Sequence, residues 1–226
     1  IEPRNVDWQY GYAEVLIKTG DTDKAINALN KTEDQVGVNP SLSIQKYNLL
    51  MEAKSPTKAL AELDAAKKMY PSDPQLIATY VDHYFKSNEM AKAVEMLKEL
   101  VVADPNNGRA HLALADVYRQ QGDADKSFEE LTLAFKSPDV DLDTKMKILI
   151  NIHESSFKID PEVYGLVDIL VDTYPTEAKA HSIHGDYLLR AEKNDEALLA
   201  YKKALEFDKA QYPIWNQVLI PVASPP

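Results

Sequence analysis

His181 and His184 stand three residues apart, and Asp186 follows two further on. On a helix this spacing puts both imidazoles on one face, a tolerable arrangement for a divalent metal with a carboxylate nearby. Glu129 and Glu130 are adjacent acids of the kind used in proton transfer. Tyr12, Tyr47, Tyr80, Tyr84 and Tyr118 would suit a stacking platform for bases or sugars. Each group also has a plainer reading. Both histidines fall on a helix face that packs against a neighbour. The paired acids sit on exposed helix and lack a partner group. Most of the tyrosines fall at core positions. There is no Gly-rich phosphate loop and no Ser–His–Asp pattern with a positional logic. The absence of cysteine removes disulfides, thiol catalysis and zinc–thiolate sites. The expectation is a chain that is not an enzyme, with no catalytic residue, no metal and no cofactor.

Bulk properties narrow the partners. The net charge of −11 argues against nucleic acid, whose affinity comes largely from Lys and Arg on phosphates, and against an anionic membrane surface. Apolar residues make up 45% of the 226 and charged residues 27%, which suits a folded chain rather than a disordered one. No apolar run is long enough to span a bilayer. The chain opens at Ile1 rather than Met, so an N-terminal segment is expected to have been removed or left out. The sequence leaves the compartment unassigned: cytoplasmic or, if a signal or lipid-anchor segment was removed before Ile1, bacterial periplasmic.

The elements that would position any site are set by a repeat. Gly20-Asp-Thr-Asp-Lys-Ala25 and Gly122-Asp-Ala-Asp-Lys-Ser127 are nearly the same string, with glycines 102 residues apart, three times 34. A glycine after an apolar helical run can take the left-handed conformation that ends a helix, and the Asp after it can cap the next. Each string reads as the corner of a helical hairpin.

Frames of 34 then start at Val6, Pro40, Pro74 and Gly108; two extra residues, Leu142 and Asp143, shift the later frames to Thr144, Ala178 and Tyr212. The frame at Gly108 carries His111, Leu114, Ala115, Tyr118, Gly122, Ser127, Leu131 and Ala134; the frame at Pro74 carries Ile77, Tyr80, Val81, Tyr84, Ala93, Leu97, Leu100 and Pro105. In this pattern of bulky and small residues the chain resembles the tetratricopeptide repeat, of a bacterial type. The resemblance implies an all-α, right-handed superhelical solenoid of helix-turn-helix hairpins. Its six repeats would be 6–39, 40–73, 74–107, 108–141, 144–177 and 178–211, followed by a partial seventh over 212–220 and an unpacked tail over 221–226. Ala134 and Ala204 are expected between helices. The Pro40 frame reads as one residue short at its corner, where Ser55-Pro56 replaces the glycine. The Thr144 frame is the poorest match.

The resemblance also implies a concave groove lined by the first helix of each hairpin, which would hold a segment of a partner protein. The positions tending to face it include Glu14, Asn48, Asp82, Asp116, Ile152 and Asp186, with Lys18, Lys86, Arg119 and Arg190 alongside. Of these, Glu14, Asn48, Asp82, Lys86, Asp116, Arg119, Asp186 and Arg190 are the candidate partner-binding residues. An acidic seam beside a basic one suits a ligand with complementary polar spacing, although such charges are also what solvated helix faces carry. No Lys stands at the position that clamps acidic chaperone tails in some relatives of this family, so that subtype is excluded. The expected function is a non-catalytic module binding a protein or peptide. The alternative is a structural spacer or oligomerising scaffold that stacks through Ile214, Trp215, Val218 and Leu219, beyond which the natural protein is expected to continue.

Overall fold

The structure is a computed structural model that describes the backbone of residues 6–155 and 160–209, and side chains from Gly11 onward within them. The described residues form twelve α-helices and no strand. Their packing divides the chain into two compact units, Ile1–Pro105 and Asn106–Pro226. The first holds α1 (Val6–Lys18), α2 (Thr22–Val36), α3 (Pro40–Glu52), α4 (Pro56–Met69), α5 (Pro74–Lys86) and α6 (Met90–Ala103). The second holds α7 (Gly108–Gln121), α8 (Ala124–Lys136), α9 (Leu142–Ser155), α10 (Pro161–Thr173), α11 (Ala178–Arg190) and α12 (Asn194–Phe207). Successive helices pair as hairpins, closely in every case but one: α9 packs more sparsely on α10 than the other partners do on each other.

Two local devices recur at a spacing of 34. One starts the first helix of a hairpin. The side chains of Asn39, Asp73, Asn107 and Asp141 each accept a hydrogen bond from the backbone N–H three residues on, at 3.0, 2.9, 3.0 and 2.8 Å. These caps satisfy donors that the helix itself cannot. The other device turns the corner. Gly20, Lys54, Asn88 and Gly122, each 34 apart, and Glu192, 70 further on, all have left-handed backbone, with φ between 54° and 78°. In each corner the next residue's N–H donates to the carbonyl five residues back, as in Asp21 to Leu16, Ser55 to Leu50 and Asp123 to Tyr118. This bond closes the end of one helix while the chain reverses into the next.

Two sequence expectations are corrected by these devices. The Pro40 frame is not short at its corner, because Lys54 takes the left-handed position itself. A local backbone cost of about 1–2 kcal/mol is tolerated there because the surrounding turn fixes the conformation. Leu142 and Asp143 do not stand ahead of the next helix but form the first turn of α9. Its face follows: Lys145 and Leu149 are fully buried, whereas Lys147 and Ile150 are exposed.

Small residues let the helices approach, as read from the sequence, and Ala134 and Ala204 are fully buried. At Gly185 an added Cβ would lie 2.4 Å from the Tyr201 ring, so that ring occupies the space a side chain would need. Two fully buried lysines interrupt the apolar interior. Lys46 Nζ lies 2.7 Å from Glu33 and 2.6 Å from Glu62 in the first unit. Lys145 Nζ in the second donates to the Ser137 carbonyl at 3.0 Å and sits 5.1 Å from the centre of the Tyr174 ring.

Candidate functional site

A cleft of about 410 Å³ opens between α7, α8 and α9 in the second unit. Its walls follow from the helix periodicity. Leu112, Ala115, Asp116 and Arg119 recur along one face of α7; Ser127 and Leu131 along α8; Ile148, Asn151, Ile152 and Ser155 along α9. The floor is apolar, through Leu112, Leu131, Ile148 and Ile152. The rim is polar. Arg119 Nη2 donates to Asp116 Oδ1 at 2.5 Å, and Gln120 Nε2 donates to Asp116 Oδ2 at 2.7 Å. Ser127 is turned inward, its Oγ donating to the Ala115 carbonyl at 2.8 Å. Apolar walls with a few fixed polar groups are the usual form of a binding site for a side chain or small ligand.

Of the eight residues singled out in the sequence, Asp116 and Arg119 share this cleft. Asp186 and Arg190 are in the same unit but do not line it. Asp186 Oδ1 accepts from the Tyr201 hydroxyl at 2.6 Å, and Arg190 donates to the His153 carbonyl. Glu14, Asn48, Asp82 and Lys86 are exposed on helices of the first unit, where Glu14 accepts from Lys18 at 2.7 Å. The sequence turns Ile152 toward the groove by position, but site residues chosen by charge leave out the apolar floor to which Ile148 and Ile152 belong.

The histidines have packing partners. His181 is buried; its Nε2 lies 2.8 Å from the Pro175 carbonyl and its ring stacks on Phe207 with centroids 5.6 Å apart. His184 is half-buried with Nε2 3.8 Å from Asp168, and burial holds its pKa below the ordinary histidine value. Among the described residues no group of three or more His, Cys, Asp or Glu is placed to hold a metal ion, and no helix is long and apolar enough to cross a membrane. Ile214, Trp215, Val218 and Leu219 lie outside the described residues.

Tetratricopeptide-repeat family models match residues 50–107 and 81–139. The helical hairpins closed by corners 34 residues apart at Gly20, Lys54, Asn88 and Gly122 agree with these matches. The chain carries tetratricopeptide repeats. Among similar curated proteins is the TPR repeat-containing protein YpiA of Bacillus subtilis (strain 168), 28% identical over 108 residues, 47% of this chain and 25% of that one. Another is the TPR repeat-containing thioredoxin TTL4 of Arabidopsis thaliana, 25% identical over 130 residues, 58% of this chain and 18% of that one. The chain thus spans about a quarter or less of the curated relatives it matches. A solved structure of pilF from Pseudomonas aeruginosa superposes with a TM-score of 0.52 at 12% identity, covering 96% of each chain, a likeness of fold alone. Tetratricopeptide repeats generally mediate protein–protein interaction, and their helical hairpins are typically non-catalytic.

Proposed function

We propose that the chain is a binding module that docks an extended segment of another protein in the α7–α8–α9 cleft. The carrying observation is the apolar floor formed by Leu112, Leu131, Ile148 and Ile152 beside the exposed Asp116–Arg119 pair. The partner segment lays a bulky apolar side chain on the floor. Its backbone or a neighbouring polar group meets the rim, where Asp116 accepts and Arg119 donates. A cavity of about 410 Å³ suits one large side chain and its neighbours rather than a folded domain. Each unit adds polar groups along its own first helices: Glu14, Asn48, Asp82 and Lys86 in one, Asp186 and Arg190 in the other. This reading takes each helix pair as one repeat, with the fifth beginning at Leu142.

The test is affinity capture with cross-linking from the source cell, using the intact chain and two variants, Leu112→Glu and Ile152→Glu. Both positions are only partly buried, so helix content measured by circular dichroism is expected to stay unchanged. Loss of a captured protein with both variants supports the cleft. Undiminished capture places the binding elsewhere.

A further inference from the structure

A second cleft lies on the opposite side of α8 from the one just described. It is an open surface depression of about 780 Å³ bounded by α8 and the first turn of α10. Phe128, Thr132 and Leu133 make its floor, and Leu133 is 45% exposed although the core lies directly beneath the helix. Asp125, Glu129 and Glu162 stand around it. All three carboxylates are exposed, and none forms an ion pair with another described residue. The closest lysine along α8 is already committed: Lys126 Nζ lies 2.5 Å from Asp123 and 5.5 Å from the centre of the Tyr118 ring. Asp125 and Glu129 are four apart on one helix face, a like-charge spacing that weakens a helix by about 0.2–0.5 kcal/mol; Lys126, in contact with Asp123, is drawn to Glu129 by charge without touching it.

The apolar floor says that something with a hydrocarbon side chain fits here, and the charges decide its sign. A nucleic acid or an acidic peptide meets three carboxylates and is repelled. Water leaves the floor uncovered. We propose that the α8–α10 cleft docks a basic, aliphatic protein segment in which Arg or Lys alternates with Leu-like residues. The apolar side chains cover Phe128 and Leu133, and the cations reach Asp125, Glu129 and Glu162. An arginine suits this rim better than a lysine, because its planar fork can engage a carboxylate through two hydrogen bonds. The net charge of −11 steers such a segment toward the surface, and the effect weakens as salt rises. This surface does not depend on the α7–α8–α9 cleft, so either can fail without the other.

The experiment is fluorescence anisotropy on the full chain, with a short labelled peptide alternating Leu and Arg as the probe and its Leu/Glu counterpart as control. Glu129→Lys with Glu162→Lys is expected to weaken binding of the Leu/Arg peptide by roughly tenfold or more at low salt. Leu133→Ser, which leaves the charge unchanged, is expected to weaken it several-fold, while Leu112→Glu in the other cleft has no such effect. Circular dichroism confirms that the helices persist. Two results would overturn the proposal. One is binding insensitive to Leu133→Ser. The other is an equal loss on Glu95→Lys, an exposed acid of the first unit, which would show that bulk charge alone attracts the peptide.

Discussion

Lys46 in the first unit and Lys145 in the second are both withdrawn from water, yet they are held in opposite ways. Lys46 meets two carboxylates, Glu33 and Glu62, and also donates to Asn30 Oδ1 at 3.3 Å. Burial pulls its pKa down, but the hydrogen bonds and charges of the two glutamates outweigh that pull and leave it above the ordinary lysine value. Lys145 is offered a carbonyl and the face of a tyrosine. Burial lowers its pKa, and the charges of Asp139 and Asp141 only partly offset it. The same buried ammonium is thus a paired ion in one region and a group under pressure to lose its proton in the other. Sequence type alone does not say whether a buried charge supports a fold or strains it; its neighbours do.

The comparison is broken most severely by removing the acids. Glu33→Gln combined with Glu62→Gln leaves Lys46 buried without a counter-charge and is expected to cost about 3–5 kcal/mol in urea denaturation. Next comes the loop that supplies Lys145 with its acceptor. Gly108 N–H donates to Asp139 Oδ1 at 3.0 Å, and an added Cβ would meet Asp139, Val140 and Ser137 at 2.6–2.7 Å. Gly108→Ala is expected to destabilise by about 1–3 kcal/mol, because all three contacts belong to one loop pinned against α7. Lys145→Met should act the other way and raise stability by about 1 kcal/mol, since an unpaired buried charge is replaced by an apolar chain of similar length. A clear loss of stability in that variant would mean that the Ser137 and Tyr174 contacts outweigh the burial cost.

The smallest effect is in the pH dependence. Lys46 has a raised pKa in the folded state, so its contribution is complete below the unfolded value and fades as pH climbs through the higher folded one. Lys145 has a lowered pKa, so its penalty is complete below the folded value and is relieved as pH rises from there to the unfolded one. Across the alkaline range, wild type should therefore gain stability relative to Lys145→Met as pH approaches about 10.5, and lose it relative to Lys46→Met beyond that. Parallel melting curves from both variants would contradict the contrast.

Most of the helical architecture was open to reading because its signals are local. Gly20 and Gly122 announce a left-handed corner, and Pro40 and Pro74 announce a first turn. Lys54, Asn88 and Glu192 make the same corner with no glycine, since the bond to the carbonyl five residues back depends on backbone geometry rather than on side-chain type. The register of α9 was misread for a related reason. Its buried face begins with Lys145, and a lysine is not a marker of an interior face. The cap series Asn39, Asp73, Asn107, Asp141 was the signal that would have placed it. At the candidate site, charge spacing led to Asp116 and Arg119 but passed over Ile148 and Ile152. Apolar residues on a helix look alike whether they face a core or a cleft. The division into two compact units rests on tertiary packing, which no local pattern carries.

The sparse seat of α9 on α10 has a consequence for how the cleft works. A helix held by few neighbours opens ahead of the rest of its unit, so its amide hydrogens should exchange with solvent sooner than those of α7 or α11. Because α9 is one wall of the cleft, an occupant touching Ile148 and Ile152 fastens that wall to α7 and α8. Part of the binding free energy is then spent on ordering a segment, and deuterium uptake along residues 142–155 should fall when the cleft is filled.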